Sequence, residues 1–443
     1  MSANSPLLLI VDYNLTRISD VAHIARYARE KYYAQTVLIR PNPSTRDAKL
    51  CDHVIDLDPL ADDFIEAALQ RLTPLRERLR AGVVFSDNAV QRGAALLERL
   101  GLLVDSSELA AGAFSKHAYR VSEDRARTLL EAQSVMVPHY VEAKSVGDLQ
   151  RFSNQHPDGF VVKPSCEGNN RGVVVVKQGD SLEAAFAEVA PYLRNGAICE
   201  EFIPFKREFS FDGVGALSFV TEKVSATGRY PVEVAQVLPA RLNSVERNTL
   251  ERTGKLANLL VGQCHGPFHN EVKLSDDGAR AAVVEPNRRP GGMKIWSLAN
   301  WVYELDFYRI WVDSVFGVVP EPTLPKPFRA AATVMLGVAQ DGLFSPEDVS
   351  VGKSPLADAL AATAKRYRLS ADDLYLKEFE WISLQRRELH RVPRDNADFA
   401  AIACVVLESN QVDIRAIVTA LREEWLIALQ AACAWDQVQA LAD

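Results

Sequence analysis

Short apolar runs alternate with amphipathic segments through the first hundred residues, and this alternation limits the fold more than any other feature of the chain. Leu7 to Asp12, Thr36 to Ile39, Val54 to Leu57 and Gly82 to Phe85 read as buried strands. Between them Ile18 to Lys31, Asp62 to Leu72 and Val90 to Leu100 carry the helical period. Strands separated by helices need crossover connections, which predicts an open, mostly parallel sheet. The turn after the first strand, Val11-Asp12-Tyr13-Asn14, lacks the glycine fingerprint of a dinucleotide site. Ser86-Asp87-Asn88 closes the last strand, at the edge where such sheets take ligands, so Asp87 is a candidate substrate residue. A helix N-cap accounts for the same residues.

The remainder follows different rules. Helical patterning from Lys116 to Glu131 breaks at Val137-Pro138. Gly159 to Pro164 and Val173 to Lys177 predict a β-hairpin with a long polar tip, Ser165-Cys166-Glu167-Gly168-Asn169-Asn170-Arg171-Gly172. Ser181 to Leu193 reads as a helix and Ala197 to Cys199 as a strand. Phe209 to Val214 opens a unit of mainly antiparallel strands. Asn300 to Phe316 reads as one amphipathic helix and Pro320 to Pro327 as a linker. The last hundred or so residues alternate helix and strand and end in a helix near Asp413 to Ala432.

A chain of 443 residues is too long for one small domain. A net charge of −8 and a pI near 5.6 argue against nucleic acid as the main partner, while leaving room for a local basic pocket. Met1 to Pro6 has no basic region and no run of 18 apolar residues exists, so no membrane association is expected. The six cysteines are scattered with no CxxC pair. That argues against structural zinc and a disulfide framework, and a reducing cytoplasm is the expected location.

The chemistry concentrates in Phe268-His269-Asn270-Glu271 and in Val283-Val284-Glu285-Pro286-Asn287-Arg288-Arg289-Pro290-Gly291-Gly292. Ala281 to Val284 is apolar, so the charged run leaves a buried strand, where Glu and Asn are costly unless metal or hydrogen bonds satisfy them. Glu285, Asn287 and Arg289 alternate and share a face on an extended chain. Glu271, Glu285 and Asn287 offer hard oxygen ligands of the kind magnesium takes together with phosphate. The alternative is a solvated hairpin rim. Lys163 ends a buried strand beside the polar hairpin tip, which suits a phosphate ligand; a snorkelling lysine is the alternative. Glu200-Glu201-Phe202-Ile203 follows a strand and offers backbone groups to an adenine edge, although acidic pairs are commonly just solvated.

In this order, these segments resemble the ATP-grasp superfamily over about the first 320 residues. Phe114-Ser115-Lys116-His117-Ala118-Tyr119-Arg120 looks like the first phosphate lysine, and Val161-Val162-Lys163-Pro164 like the second. Glu271 with Glu285, Asn287 and Arg289 looks like the metal pair with its asparagine and arginine. Cys199 to Ile203 resembles the adenine hinge. The resemblance implies that Glu200 accepts from the adenine amino group, that main-chain atoms of Glu201 and Ile203 read the ring, and that Glu208 binds ribose. Ser165 and Arg171 fall in the phosphate-covering loop. That loop is poor in glycine, and Ser115 stands where an aspartate is common.

The implied fold combines α/β and α+β parts. It has an N-terminal parallel-sheet domain (1–115), a small hairpin-and-helix lobe (116–203), an antiparallel large lobe (204–320) and a C-terminal lid (321–443). The implied cofactors are ATP and two Mg2+ ions, with Mn2+ as a substitute. Lys116 and Lys163 would neutralise phosphates, Arg289 would face the transferring phosphoryl group, and the Gly291-Gly292 backbone would donate to a developing oxyanion. The reaction implied is an ATP-dependent joining of a carboxylate to an amine through an acylphosphate. Phe268 to Lys273 and Asn287 to Gly292 look closest to L-amino acid ligases, with small-molecule partners; Ala330 to Gly342 resembles the strand that opens their lid. A ligase or carboxylase for another carboxylate, and a nucleotide-binding protein without catalysis, are the alternatives. His269 and Trp296 are candidate substrate residues, with structural roles as the alternatives. A homodimer is the default assembly.

Overall fold

The structure is a computed structural model. It describes residues 5–14, 17–168, 171–226, 230, 232–319, 323–408 and 412–433. Met1 to Asn4, Asn169 and Asn170 of the hairpin tip, and Pro320 to Pro322 of the expected linker lie outside the described residues.

Strands β1 (Leu7–Val11), β2 (Gln35–Arg40), β3 (His53–Asp56) and β4 (Leu79–Val84) form a parallel sheet in the order β3-β2-β1-β4. All five residues of β1 are buried, as a central strand covered on both faces requires. Alternation sends them to two cores. Leu7, Leu9 and Val11 pack with Phe64 and Leu97. Leu8 and Ile10 join a core that also holds Trp296, Phe307 and Trp311. The N-terminal sheet is thereby welded to residues almost three hundred positions later, with Phe85 stacked on Trp311 at 5.4 Å between ring centroids.

Strands β5 (Tyr140–Ala143), β6 (Phe160–Pro164), β7 (Val174–Val176) and β8 (Ala197–Glu201) form a small antiparallel sheet, ordered β5-β8-β6-β7. Leu149 and Phe152 from helix Val146–Gln155, with Ala185 and Val189 from helix Leu182–Val189, close its core. The expected hairpin is β6 with β7.

The largest sheet is antiparallel throughout. It contains β9 (Arg207–Val214), β10 (Leu217–Ser225), β11 (Glu233–Leu238), β12 (Pro267–Leu274), β13 (Ala281–Asn287) and β14 (Ala330–Leu336). A short ribbon of β15 (Gly342–Phe344) with β17 (Arg387–Leu389) stands apart, and β16 (Leu374–Trp381) and β18 (Ala401–Leu407) complete the large sheet. Its order is β13-β12-β9-β10-β11-β14-β18-β16. The expected boundary at 320/321 therefore cuts one continuous sheet, because β11 pairs directly with β14. Helix Ser244–Leu260 starts with a capping box, Asn243 with Glu246, and packs under β9 and β12. Helix Ile414–Ala432 buries Trp425 and Leu429 against the far end of the sheet.

The single helix expected over Asn300 to Phe316 is two, Ile295–Tyr303 and Phe307–Val315. Glu304 takes the left-handed conformation at φ 52°, which ends the first. Asp306 caps the second by accepting from the Arg309 N–H at 3.1 Å. Among the described residues no helix is long and apolar enough to cross a membrane.

Candidate active site

A bulge decides which way the charged run of β13 faces. Glu271 is opposite Glu285 and Val272 is opposite Val283, so Val284 is an extra residue in β13. Such an insertion resets the alternation of a strand. Val283 packs beneath the sheet with Tyr119, Ala257 and Val261. Glu285 and Asn287 turn to the opposite face, beside their partners Glu271 and His269 on β12. Strict alternation would have left Val283 and Glu285 on one face.

Four segments bring cations to this face. Ser115 begins helix Lys116–Arg125 as an N-cap, accepting from the Ala118 N–H at 3.2 Å, which accounts for a serine there. Lys116 follows at the first helical position; its Nζ lies 2.7 Å from Glu285 Oε2 and donates to the Glu167 carbonyl at 2.7 Å. Its backbone N–H donates to the Ser165 carbonyl at 2.8 Å, tying the helix start to the hairpin tip. Lys163 on β6 meets Glu200 Oε2 at 2.6 Å. Lys223 on β10 meets Glu271 Oε1 at 2.7 Å and also pairs with Glu233. Arg289 sends its Nε to both carboxylate oxygens of Asp87, each at 2.7 Å.

These pairs set the protonation states. Burial would raise the Glu285 carboxyl, but Lys116, with Lys163 nearby, brings it below the ordinary value. Burial acts likewise on Glu271, and Lys223 and His269 hold it well below the ordinary range. Burial would lower the His269 imidazole; Asp212, 2.6 Å from Nδ1, and Glu271 lift it to about 9. Asp212 also accepts from Ser210 at 2.6 Å and Thr221 at 2.8 Å. His269 thus lies buried between two carboxylates, with its Nε2 3.5 Å from Glu271.

The loop after β13 is gripped from outside its own lobe. Arg17 of the N-terminal domain donates to the Pro290 carbonyl at 2.9 Å and to that of Gly291. Gly291 leaves no room for a side chain: a Cβ would stand 2.8 Å from His269 Nδ1 and 3.1 Å from Asp212 Oδ1. Gly292 faces open space. Met293 and Lys294 both have positive φ. Thr333 of β14 donates to the Met293 carbonyl at 2.7 Å, and Lys294 pairs with Glu378 and Glu380 of β16 at 3.2 and 3.1 Å.

Lys116, Glu271, Glu285, Asn287, Arg289, Gly291, His269 and Asp87 therefore converge, with Lys163 within electrostatic reach of Lys116 and Glu285. The hinge residues depart from expectation. Glu200 is buried, and its carboxylate already accepts from Arg120 at 2.8 and 3.3 Å besides Lys163; these cations hold it at about 2 against the effect of burial. The Glu201 N–H donates to the His139 carbonyl at 2.9 Å, so it is committed within the fold. Ile203 lies in the extended segment after β8. Glu208 pairs with Lys273 at 2.9 Å and accepts from Ser225. Ser165 is buried at the root of the tip, while Arg171 pairs with Glu167 at 2.8 Å on its outer side.

Trp296 requires correction as a substrate residue. It has no exposed surface and packs edge-on against Tyr308 and Trp311, so it belongs to the core. Lys223, Asp212 and Arg120 escaped the sequence reading. The legible signal was the polar–apolar alternation Ser210-Phe211-Asp212 and Thr221 to Lys223, which marks a strand with one polar buried face. A groove of about 760 Å3 behind the sheet, beside Leu109, Phe211 and Leu259, contains none of these cations or carboxylates. The charged cluster defines the site.

No family model matches the chain. Over 258 residues it is 24% identical to an alanine–anticapsin ligase of Bacillus subtilis, an alignment covering 52% of each chain. It is 27% identical over 216 residues to a D-alanine–D-alanine ligase of Caulobacter sp. (strain K31), covering 44% of this chain and 62% of that one. The chain thus spans about half to three fifths of the length of these curated relatives. The crystal structure of an L-amino acid ligase from Bacillus licheniformis superposes with a TM-score of 0.69 at 18% identity, covering 96% of this chain and 98% of that one.

Proposed function

From a chain that belongs to the ATP-grasp superfamily of carboxylate–amine ligases, we propose an ATP-dependent ligase that joins an amino acid carboxylate to an amine, the amine of a second amino acid. The observation that carries this reading is the facing pair Glu271 and Glu285, with Asn287 beside them and Lys116 of another segment 2.7 Å from Glu285. Hard oxygen donors from two strands, next to lysines from a helix start and from a third strand, suit a metal–triphosphate.

The donor set fits magnesium. Two carboxylates and an amide are all-oxygen ligands, and the Asn287 nitrogen donates to the His269 carbonyl at 3.2 Å and toward Glu285 at 3.4 Å, which turns its oxygen to the other side. Among the described residues no group of three or more His, Cys, Asp or Glu could hold a metal ion, so an ion here would need the Asn287 oxygen and phosphate oxygens beside the two carboxylates. Glu271, Glu285 and Asn287 would hold Mg2+, which supplies charge neutralisation for the phosphates when bound.

The remaining steps belong to this chain's side chains. Lys116 and Lys163 bind the phosphates of ATP, with the hairpin tip above them. The substrate carboxylate attacks the γ-phosphorus and ADP leaves with the bond's electron pair. Arg289, fixed by Asp87, presents its guanidinium to the acyl phosphate oxygens. The amine then adds to the acyl carbon; the Gly291-Gly292 backbone donates to the oxyanion, and phosphate departs. The likeness to the L-amino acid ligase structure and to the alanine–anticapsin ligase supports amino acids as the substrates.

The test is phosphate release with ATP and Mg2+ across paired pools of the twenty amino acids, with Glu285→Ala as control. Release with particular pairs, lost in the control, is expected. Release that instead required bicarbonate or an acid without an α-amino group would replace the amino acid reading with a ligase for another carboxylate. Silence in every pool with ATP still bound would leave a nucleotide-binding protein.

A further inference from the structure

One buried arginine touches three of the segments that form the site. Arg120 is 1% exposed and lies one helical turn after Lys116, on the same side of its helix. Its Nε and Nη2 form a fork on Glu200 at 2.8 and 3.3 Å. Nη2 also donates to the Val284 carbonyl at 3.1 Å, and Nη1 pairs with Glu123. Glu200 is the carboxylate that Lys163 meets at 2.6 Å. Val284 is the bulged residue whose extra peptide turns Glu285 into the site.

We infer that Arg120 is a positioning residue that fixes Lys163, through Glu200, relative to the metal strand. This rests on the reading of Lys163 as a phosphate ligand. A guanidinium offers five N–H donors in one plane. Here they immobilise Glu200, so that Lys163 shares a carboxylate already engaged on both oxygens. The same plane holds the backbone from which Glu285 projects. Without the guanidinium, Lys163 is the only cation among the described residues left within contact distance of Glu200, and the ammonium is drawn toward the hinge and away from the phosphates. A lysine at 120 supplies charge but cannot span the fork and the carbonyl together.

The test is equilibrium binding of ATP with Mg2+, with thermal unfolding in parallel, for the wild type, Lys163→Met, Arg120→Met, Arg120→Lys, Glu200→Gln and the double variant Arg120→Met/Glu200→Gln. Arg120→Met is expected to weaken ATP binding about tenfold or more. Adding Glu200→Gln should restore much of that loss, because it removes the charge that captures Lys163. A residue that merely holds the fold together predicts instead that ATP affinity tracks the melting temperature across all the variants, since neutralising Glu200 also relieves an unpaired buried charge. Arg120→Lys should keep most of the melting temperature and still bind ATP poorly, which separates positioning from folding. Wild-type binding by both Arg120 variants, or a double variant no better than Arg120→Met, would overturn the inference alone. Lys163→Met binding as tightly as the wild type would overturn the nucleotide reading and this inference with it.

Discussion

At the scale of single residues, the site is a set of cations each facing a carboxylate, so substitutions divide by which partner remains. Arg289→Met is expected to lower kcat by about 10²–10³, the range for a lost electrostatic donor at an acyl centre, with ATP binding largely kept. Asp87→Asn should lower kcat roughly tenfold, since the guanidinium stays but loses its fixed direction. Steady-state rates against ATP titrations check both, and a change confined to ATP affinity would place Arg289 on the nucleotide instead. Glu123 offers a pH test. Burial raises its carboxyl from an ordinary 4.5 to about 7, with Arg120 opposing. A raised carboxyl favours the folded state fully below about pH 4.5, and that contribution is lost as pH rises toward 7. Glu123→Gln does not titrate, so the wild type should lose stability relative to it between pH 5 and 7, read by denaturant unfolding. A constant difference would mean that Arg120 keeps Glu123 ionised throughout. Lys116, Lys163, Glu271, Glu285, Asn287 and Arg289 were legible because each sits in a local pattern where charge leaves an apolar strand or opens a helix. Arg120, Asp212 and Lys223 were missed, since the groups that tie them to the site, Glu200, His269 and Glu271, come from other segments.

Elements were legible where one period governed them. The first strands and helices follow the sequence reading to within a few residues, because each buries a face its own pattern specifies. The failures lie where a single residue breaks a period. Glu304 splits a helix that hydrophobicity alone makes continuous, although Asp306 was a visible cap. Val284 reverses a strand with no local signal, since its position is fixed by the partner strand. Helix Ser244–Leu260 depends on a close approach: a Cβ at Gly254 would stand 2.2 Å from the Phe211 ring. Gly254→Ala gains about 1 kcal/mol of helix propensity but forces a buried aromatic to move, an overpacking cost of ~1–3 kcal/mol. The net expectation is a loss of up to about 2 kcal/mol by denaturant unfolding. A more stable variant would show that the helix can lift from the sheet.

For the whole molecule, the sequence divided the chain where composition changes, but hydrogen bonding divides it elsewhere. Residues 321–443 supply three strands of the sheet that carries the site, and Thr333 and Glu378 hold the loop after β13. A chain ending at Val319 would leave β11 as an open apolar edge, and such edges aggregate. It is expected to precipitate or elute as large assemblies in size-exclusion chromatography; a monodisperse folded fragment would show that the C-terminal part is a separable lid. The order of strands has a further consequence, in time rather than space. β9 to β13 are consecutive in the chain and fill one end of the sheet. β18 ends about 120 residues after β13, a delay of roughly 6–24 s at ribosomal speeds of about 5–20 residues per second. The nascent polypeptide thus completes the strands that carry Lys223, Glu271 and Glu285 well before β16 emerges to pair its glutamates with Lys294 in the loop after β13.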